Sequence, residues 1–299
     1  MINRRWMLGA LLFRCFGANA SEQLPGAPLD LPAGGGLQTA PTKAPVDWPL
    51  SFADDFDFLD LGHWNTTFEG GKRTHGPESQ VYVDPSYAGD TGHPLGLNPF
   101  SISQSVLTIK ATPAGPTLAP HLERPYISGL LTTARHFQQR YGYFEIKAKL
   151  PRGHGLWPAF WLVPIDSWPP EIDVFEIIGD IPHTVYGSVH WAASGAPEDR
   201  GPGVRRDGTH LWQTLEPTVP DVFAAFHTYG ALWTTDYVAF YFDDHLYGWL
   251  PTPQDMHKPM YLIINLAVGA SWPGWPDKTT KFPANMQIDY VRAHILPND

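Results

Sequence analysis

The chain of 299 residues carries a formal net charge of −10, 13% aromatic residues and 31 prolines. Its acidic balance repels phosphate backbones and excludes nucleic acid as the partner, while the prolines are hostile to helices and suit long loops. Length allows one large domain or two small ones, a 43% hydrophobic content is enough for a sizeable core, and a β-sandwich of about 250 residues fits within one domain.

Residues 1–20 have the pattern of an export signal: Arg4 and Arg5, a short apolar run from Trp6 to Phe13, and Ala18-Asn19-Ala20 as a small-residue cleavage site. Arg4-Arg5-Trp6-Met7-Leu8 also admits a twin-arginine reading, and a frayed N-terminal extension is the plainer alternative. The apolar run is too short to span a bilayer. The expected location is therefore secreted or periplasmic. Removal of residues 1–20 would take Arg4, Arg5 and Arg14 with it and move the net charge from −10 to −13. It would also take Cys15, the one cysteine, leaving core burial rather than disulfides to hold the fold. Ser21 to Asp47 is rich in Pro, Gly and Ala, lacks periodicity and reads as a linker ahead of a catalytic domain over 48–299.

From Leu50 the pattern becomes period-2 and rich in turns, as an antiparallel β protein requires. In Tyr143 to Leu150 the apolar Phe144, Ile146, Ala148 and Leu150 are expected to pack, with Tyr143, Glu145, Lys147 and Lys149 on a wet face. In Thr184 to Trp191 the inward residues are Val185, Val189 and Trp191, opposite Thr184, Tyr186, Ser188 and His190. Trp233 to Tyr237 and Phe242 to Leu246 read as hairpin turns, and little helix is expected anywhere.

The densest chemistry is Glu171-Ile172-Asp173-Val174-Phe175-Glu176, three carboxylates inside a β-prone apolar run where unpaired charge is costly. In a regular strand Glu171 and Asp173 share a face and Glu176 points away. One extra residue accommodated as a β-bulge between Asp173 and Glu176 returns Glu176 to the side of the other two. On a helix Glu171 and Glu176 would diverge by about 140°. An acidic surface ridge is the bland alternative, and the apolar neighbours argue against it.

The context of the acids is Tyr141-Gly142-Tyr143-Phe144-Glu145-Ile146, then Gly155-Leu156-Trp157-Pro158-Ala159-Phe160-Trp161, then Val185-Tyr186-Gly187-Ser188-Val189-His190-Trp191. Phe226-His227-Thr228-Tyr229, Tyr261 to Gly269 with Trp272-Pro273-Gly274, and Ile288-Asp289-Tyr290-Val291-Arg292 follow. In this order and spacing the chain resembles glycoside hydrolase family 16, over roughly Leu50 to the C-terminus. The resemblance implies an all-β jelly-roll sandwich of two antiparallel sheets with a concave sugar cleft. Carried over by position, Glu171 matches the nucleophile, Asp173 the assisting acid and Glu176 the acid/base. Two carboxyls in these roles are what glycoside cleavage needs.

His190 matches a histidine near the acids, either bonding sugar or carboxylate or satisfied structurally. Trp157 and Trp161 resemble tryptophans that stack on sugar rings, with core packing as the alternative, and Trp272 is a further such residue. The family commonly has two asparagines where this chain has Gly76 and Pro77, ahead of Glu78, Gln80 and Tyr82. Many relatives bind a structural calcium ion, for which Asp54 or Asp55 with Asp289 are the ligands to consider, against solvated acids as the plainer reading. No other cofactor is implied.

The implied activity is a retaining, endo-acting β-glycanase of the six-residue, bulged branch. A β-1,3- or mixed β-1,3/1,4-glucan is the first choice of substrate. A bacterial exopolysaccharide depolymerase or a transglycosylase of the same fold is the alternative, and a non-catalytic jelly-roll lectin is the alternative from another class. The expected state is a monomer with a polysaccharide as its partner.

Overall fold

The computed structural model describes residues 40–193, 205–207 and 210–297. The expected export signal and the linker as far as residue 39 lie outside these residues. The described residues form a ten-stranded and a seven-stranded sheet, almost all pairs antiparallel, and the helical residues among them are two short 3-10 turns. Both expected hairpins are present, joining His227–Trp233 to Tyr237–Phe242 and the latter to His245–Pro251.

The two sheets face each other across one large core. The seven-stranded sheet runs in space Arg205–Asp207, His210–Leu215, Tyr186–Ala192, Glu171–Glu176, Leu156–Val163, Tyr261–Val268 and Leu130–Thr132. Its inner face contributes Ile172, Val174, Phe175, Val189, Leu162 and Ile264, and Phe175 meets Tyr229 of the opposite sheet at 4.5 Å between ring centroids. Each such side chain stabilises by roughly 1.5–3 kcal/mol on burial. A slip of one residue would drive the acids into this core and the apolar set into water, so burial fixes the register.

The bulge is where the sequence places it. Along the neighbouring strand the step from Tyr186 to Ser188 spans two residues, while the matching step from Glu176 to Asp173 spans three. On the other side Phe160 pairs with Phe175 and Trp161 with Asp173, so Val174 is the extra residue. Val174 and Phe175 both join the core, which returns Glu176 to the outer face.

The expected wet face of Gly142–Lys149 is a correction. Tyr143 and Glu145 are each only 1% exposed. The face they occupy carries a second apolar cluster, with Tyr241 and Ala239 beneath Ala40, Ala44 and Trp48. Residues 40–47, expected within the linker, thus lie against this sheet: the Ala44 amide donates to the Asp244 carbonyl at 2.9 Å and the Tyr241 hydroxyl to that of Pro41 at 2.8 Å. Glu145 is satisfied by two tyrosine hydroxyls, Tyr143 at 2.8 Å and Tyr290 at 2.7 Å, which removes the cost that would have kept it at the surface.

Candidate active site

The outer face of the seven-stranded sheet lines a cleft of about 530 Å³. Glu171, Asp173 and Glu176 stand along its floor, beside Trp157 and Trp161 from one neighbouring strand and Tyr186, Ser188 and His190 from the other. All seven residues singled out in the sequence as catalytic or sugar-binding, Trp272 included, meet in this cleft.

Each carboxyl has a specific neighbour. The Trp168 indole N–H donates to Glu171 Oε2, and the Trp157 indole N–H donates to Glu176 Oε1 at 3.0 Å. His190 Nε2 lies 2.8 Å from Asp173 Oδ2. Burial, then the charge of Asp173, pushes Glu171 up to about 8. Burial also raises Asp173, and it raises Glu176 well above the carboxylate range, with the charges of Asp173 and Glu171 adding to the shift. Three carboxyls packed this closely hold protons that isolated ones release, so a protonated Glu176 persists near neutral pH beside a carboxylate.

Donor atoms of Glu171, Asp173 and His190 lie within 4.8 Å of one another. Along the chain no His-x-His or Glu-x-x-His pairing adjoins the acids, yet in space His190 joins two of them. The chemistry of the set still favours shared protons, because its carboxyls are raised towards neutrality and His190 Nδ1 is taken up by His210 Nε2. Among the described residues Asp55 and Asp289, weighed as calcium ligands, are not brought together with a third acid. Asp55 accepts from Arg292 at 3.1 Å, Asp289 pairs with Lys147 at 2.7 Å, and Asp54 accepts the Phe56 amide and the Trp64 indole.

The two tryptophans expected to share a face do so, and both are anchored. Trp161 donates to Asn265 Oδ1 at 2.8 Å, Asn265 donates to the Tyr82 hydroxyl at 2.9 Å, and that hydroxyl donates to Glu78 at 3.1 Å. Glu78 is buried and raised to about 7 by that burial. Trp272 meets Trp157 and Tyr186 edge-on at 5.4 and 5.0 Å, and is 43% exposed. Its loop is pinned by close backbone approach: Gly155 has φ +77°, and a Cβ there would stand 2.4 Å from the Pro276 nitrogen.

Sequence reasoning missed Trp168, His210, Trp212 and Glu216. Trp212 and Glu216 line the cleft, and His210 touches both His190 and Trp168. Alternation along His210–Leu215 places His210, Trp212 and Thr214 on one side, and that signal could have found the first two.

A two-sheet sandwich with a row of acids and flanking indoles on its concave face is the architecture of a jelly-roll glycoside hydrolase. The chain belongs to the glycosyl hydrolases family 16, whose family model matches residues 100–292. It is 39% identical over 262 residues to the endo-1,3-1,4-beta-glycanase ExsH of Rhizobium meliloti, covering 83% of this chain and 52% of that protein. A beta-glucanase of Rhodothermus marinus is 31% identical over 279 residues, 84% of this chain and 86% of its own length. Among solved structures, the laminarinase catalytic domain of Thermotoga maritima superposes with a TM-score of 0.65 at 30% identity, covering 84% of this chain and 99% of that one. The chain spans about half the length of ExsH and of EglC, the two curated relatives it matches at 38–39% identity.

Proposed function

We propose that the protein is a retaining, endo-acting β-glycanase that cleaves a β-1,3- or mixed β-1,3/1,4-glucan. The observation that carries this is the bulge at Val174, which sets Glu171 and Glu176 on one face of one strand with Asp173 between them. Glu176 protonates the glycosidic oxygen, and Glu171, its proton passed to the neighbouring Asp173, attacks the anomeric carbon as the carboxylate to form a glycosyl-enzyme that water then opens from the same side. Asp173 holds charge and proton between them. A neutral glucan is favoured because the described lining of the cleft includes five carboxyls and neither lysine nor arginine.

A bacterial exopolysaccharide is the second reading, and it rests on Gly76 and Pro77 standing where relatives commonly have asparagines. Transglycosylation would use the same nucleophile with a sugar in place of water. A pure lectin has no use for two carboxyls in these roles. Residues 1–20 favour export, and a cleft complete within one chain favours action as a monomer. A panel of neutral and acidic polysaccharides with product sizing tests substrate and linkage together. Proton NMR in the first turnovers tests the mechanism: the first-formed product should be the β-anomer, and an α-anomer would remove Glu171 from the nucleophile's role.

A further inference from the structure

The acid row continues sideways through two imidazoles. His190 pairs in register with Glu171, and its Nε2 lies 2.8 Å from Asp173 Oδ2. Its Nδ1 lies 2.7 Å from Nε2 of His210, on the next strand. The two ring planes are within 8° of one another with centroids 4.9 Å apart, the geometry of rings meeting nitrogen to nitrogen in a common plane. His210 is itself held between Trp168 at 4.8 Å and Trp212 at 5.1 Å. Trp168 in turn donates to Glu171, so one surface indole touches both the relay and the nucleophile.

Between two neutral imidazoles bonded nitrogen to nitrogen, one ring donates and the other accepts, and the choice fixes both tautomers. We propose that His210 is a positioning residue for the acid row: its Nε2–H donates to His190 Nδ1, which leaves the proton of His190 on Nε2, facing Asp173. This assignment rests on the glycanase reading for its consequence but not for its geometry. Burial lowers both histidines, which keeps them neutral. The titratable groups facing the pair are Glu171 and Asp173 on the acid strand, Asp207 on the strand beyond His210, and Asp255, which accepts the amide of Ala192 opposite His210.

Asp173 Oδ2 is buried with no aligned hydrogen-bond partner among the described residues, so a proton on His190 Nε2, 2.8 Å away, favours the ionised form through its charge distribution alone. An ionised Asp173 in turn holds the protons of Glu176 and Glu171 more tightly. Without His210 the His190 proton is free to move to Nδ1, the bare Nε2 then favours a protonated Asp173, and both glutamates release their protons at lower pH. The whole bell of activity moves in the acid direction.

His210→Phe keeps a ring between Trp168 and Trp212 but removes the donor, whereas His210→Gln supplies an amide donor without the ring. The expected result is that H210F moves both limbs of the kcat/KM profile down by about half to one pH unit, so that the rate on the alkaline limb falls roughly three- to tenfold. H210Q should hold both limbs near the wild-type positions. A uniform loss of rate in H210F with unmoved limbs, or an equal shift in both variants, would reduce His210 to a stacking role and overturn the proposal. Independently of any substrate, ¹⁵N NMR of the imidazoles in the full chain should show His190 as the Nε2–H tautomer in the wild type and not in H210F. A wild-type His190 protonated at Nδ1 would overturn the assignment even in an active glycanase, and the Nε2–H tautomer would uphold it even if every glucan tried were refused.

Discussion

A carboxyl that keeps its proton to about pH 8 makes folding pH-dependent in a direction opposite to that of an ordinary salt-bridged acid. The ordinary value for Glu171 is 4.5, and burial with Asp173 alongside raises it to about 8 in the folded protein. Between those values the folded state holds a proton that the unfolded chain has released, so stability falls as pH climbs through this window. Glu171→Gln removes the titration, and denaturant melts should show it more stable than wild type above pH 8 by on the order of 1–3 kcal/mol, with no gain at pH 4. The same substitution, like Glu176→Gln, should cost at least ~10²-fold in kcat. Near-wild-type turnover, or a stability loss equal at both pH values, would contradict the placement of Glu171. These acids are legible in the sequence because charge inside an apolar strand is expensive enough to need a reason. Trp168 is not, because it stands in a loop outside any alternation, and alternation gives His210 only its side of the strand: the neighbour that matters to it is His190, twenty positions earlier.

At the scale of strands, alternation states polarity and leaves exposure open. For Tyr186 to Ala192 the two coincide, and Ser188 and His190 reach the cleft while Val189 and Trp191 join the core. For Gly142–Lys149 they part company, because the outer face is roofed by Ala40, Ala44 and Trp48 and Glu145 finds two hydroxyls beneath them. No local pattern announces such a roof. The bulge was legible because chemistry required it, the acids being useful together only if one residue is looped into the core at Val174. Gly155 shows how another element serves the site at a distance. Its left-handed backbone and its contact with Pro276 leave no space for a methyl group, so Gly155→Ala must move the loop that carries Trp272. A destabilisation of about 2 kcal/mol is expected, together with a rise in KM larger than the fall in kcat. Thermal melts and steady-state kinetics check the two parts. An unchanged KM would separate Trp272 from substrate binding.

Across the whole molecule the cleft lies over five adjacent strands, Tyr261–Val268, Leu156–Val163, Glu171–Glu176, Tyr186–Ala192 and His210–Leu215, with the acids on the middle one. At about 4.8 Å per strand the floor is about 19 Å wide, long enough for several sugar rings in a row. On one flank stand Glu78, Asn265 and Trp161, and on the other Tyr186, Trp212, Thr214 and Glu216. A chain laid across such a floor meets protein on both sides of the bond that the acids can reach. Binding energy is therefore collected from sugars in the interior of the polymer, and a terminal residue, able to fill only one flank, is held less well. Cleavage should fall within chains. On a soluble glucan the viscosity and weight-average length should collapse while free glucose is still scarce, and oligosaccharides of several sizes should precede it. Size-exclusion chromatography with a reducing-end assay on the same time points distinguishes the modes: glucose released from the first minutes at nearly constant polymer length would mean that one flank is closed to substrate, and that the middle position of the acid strand does not set where the polymer is cut.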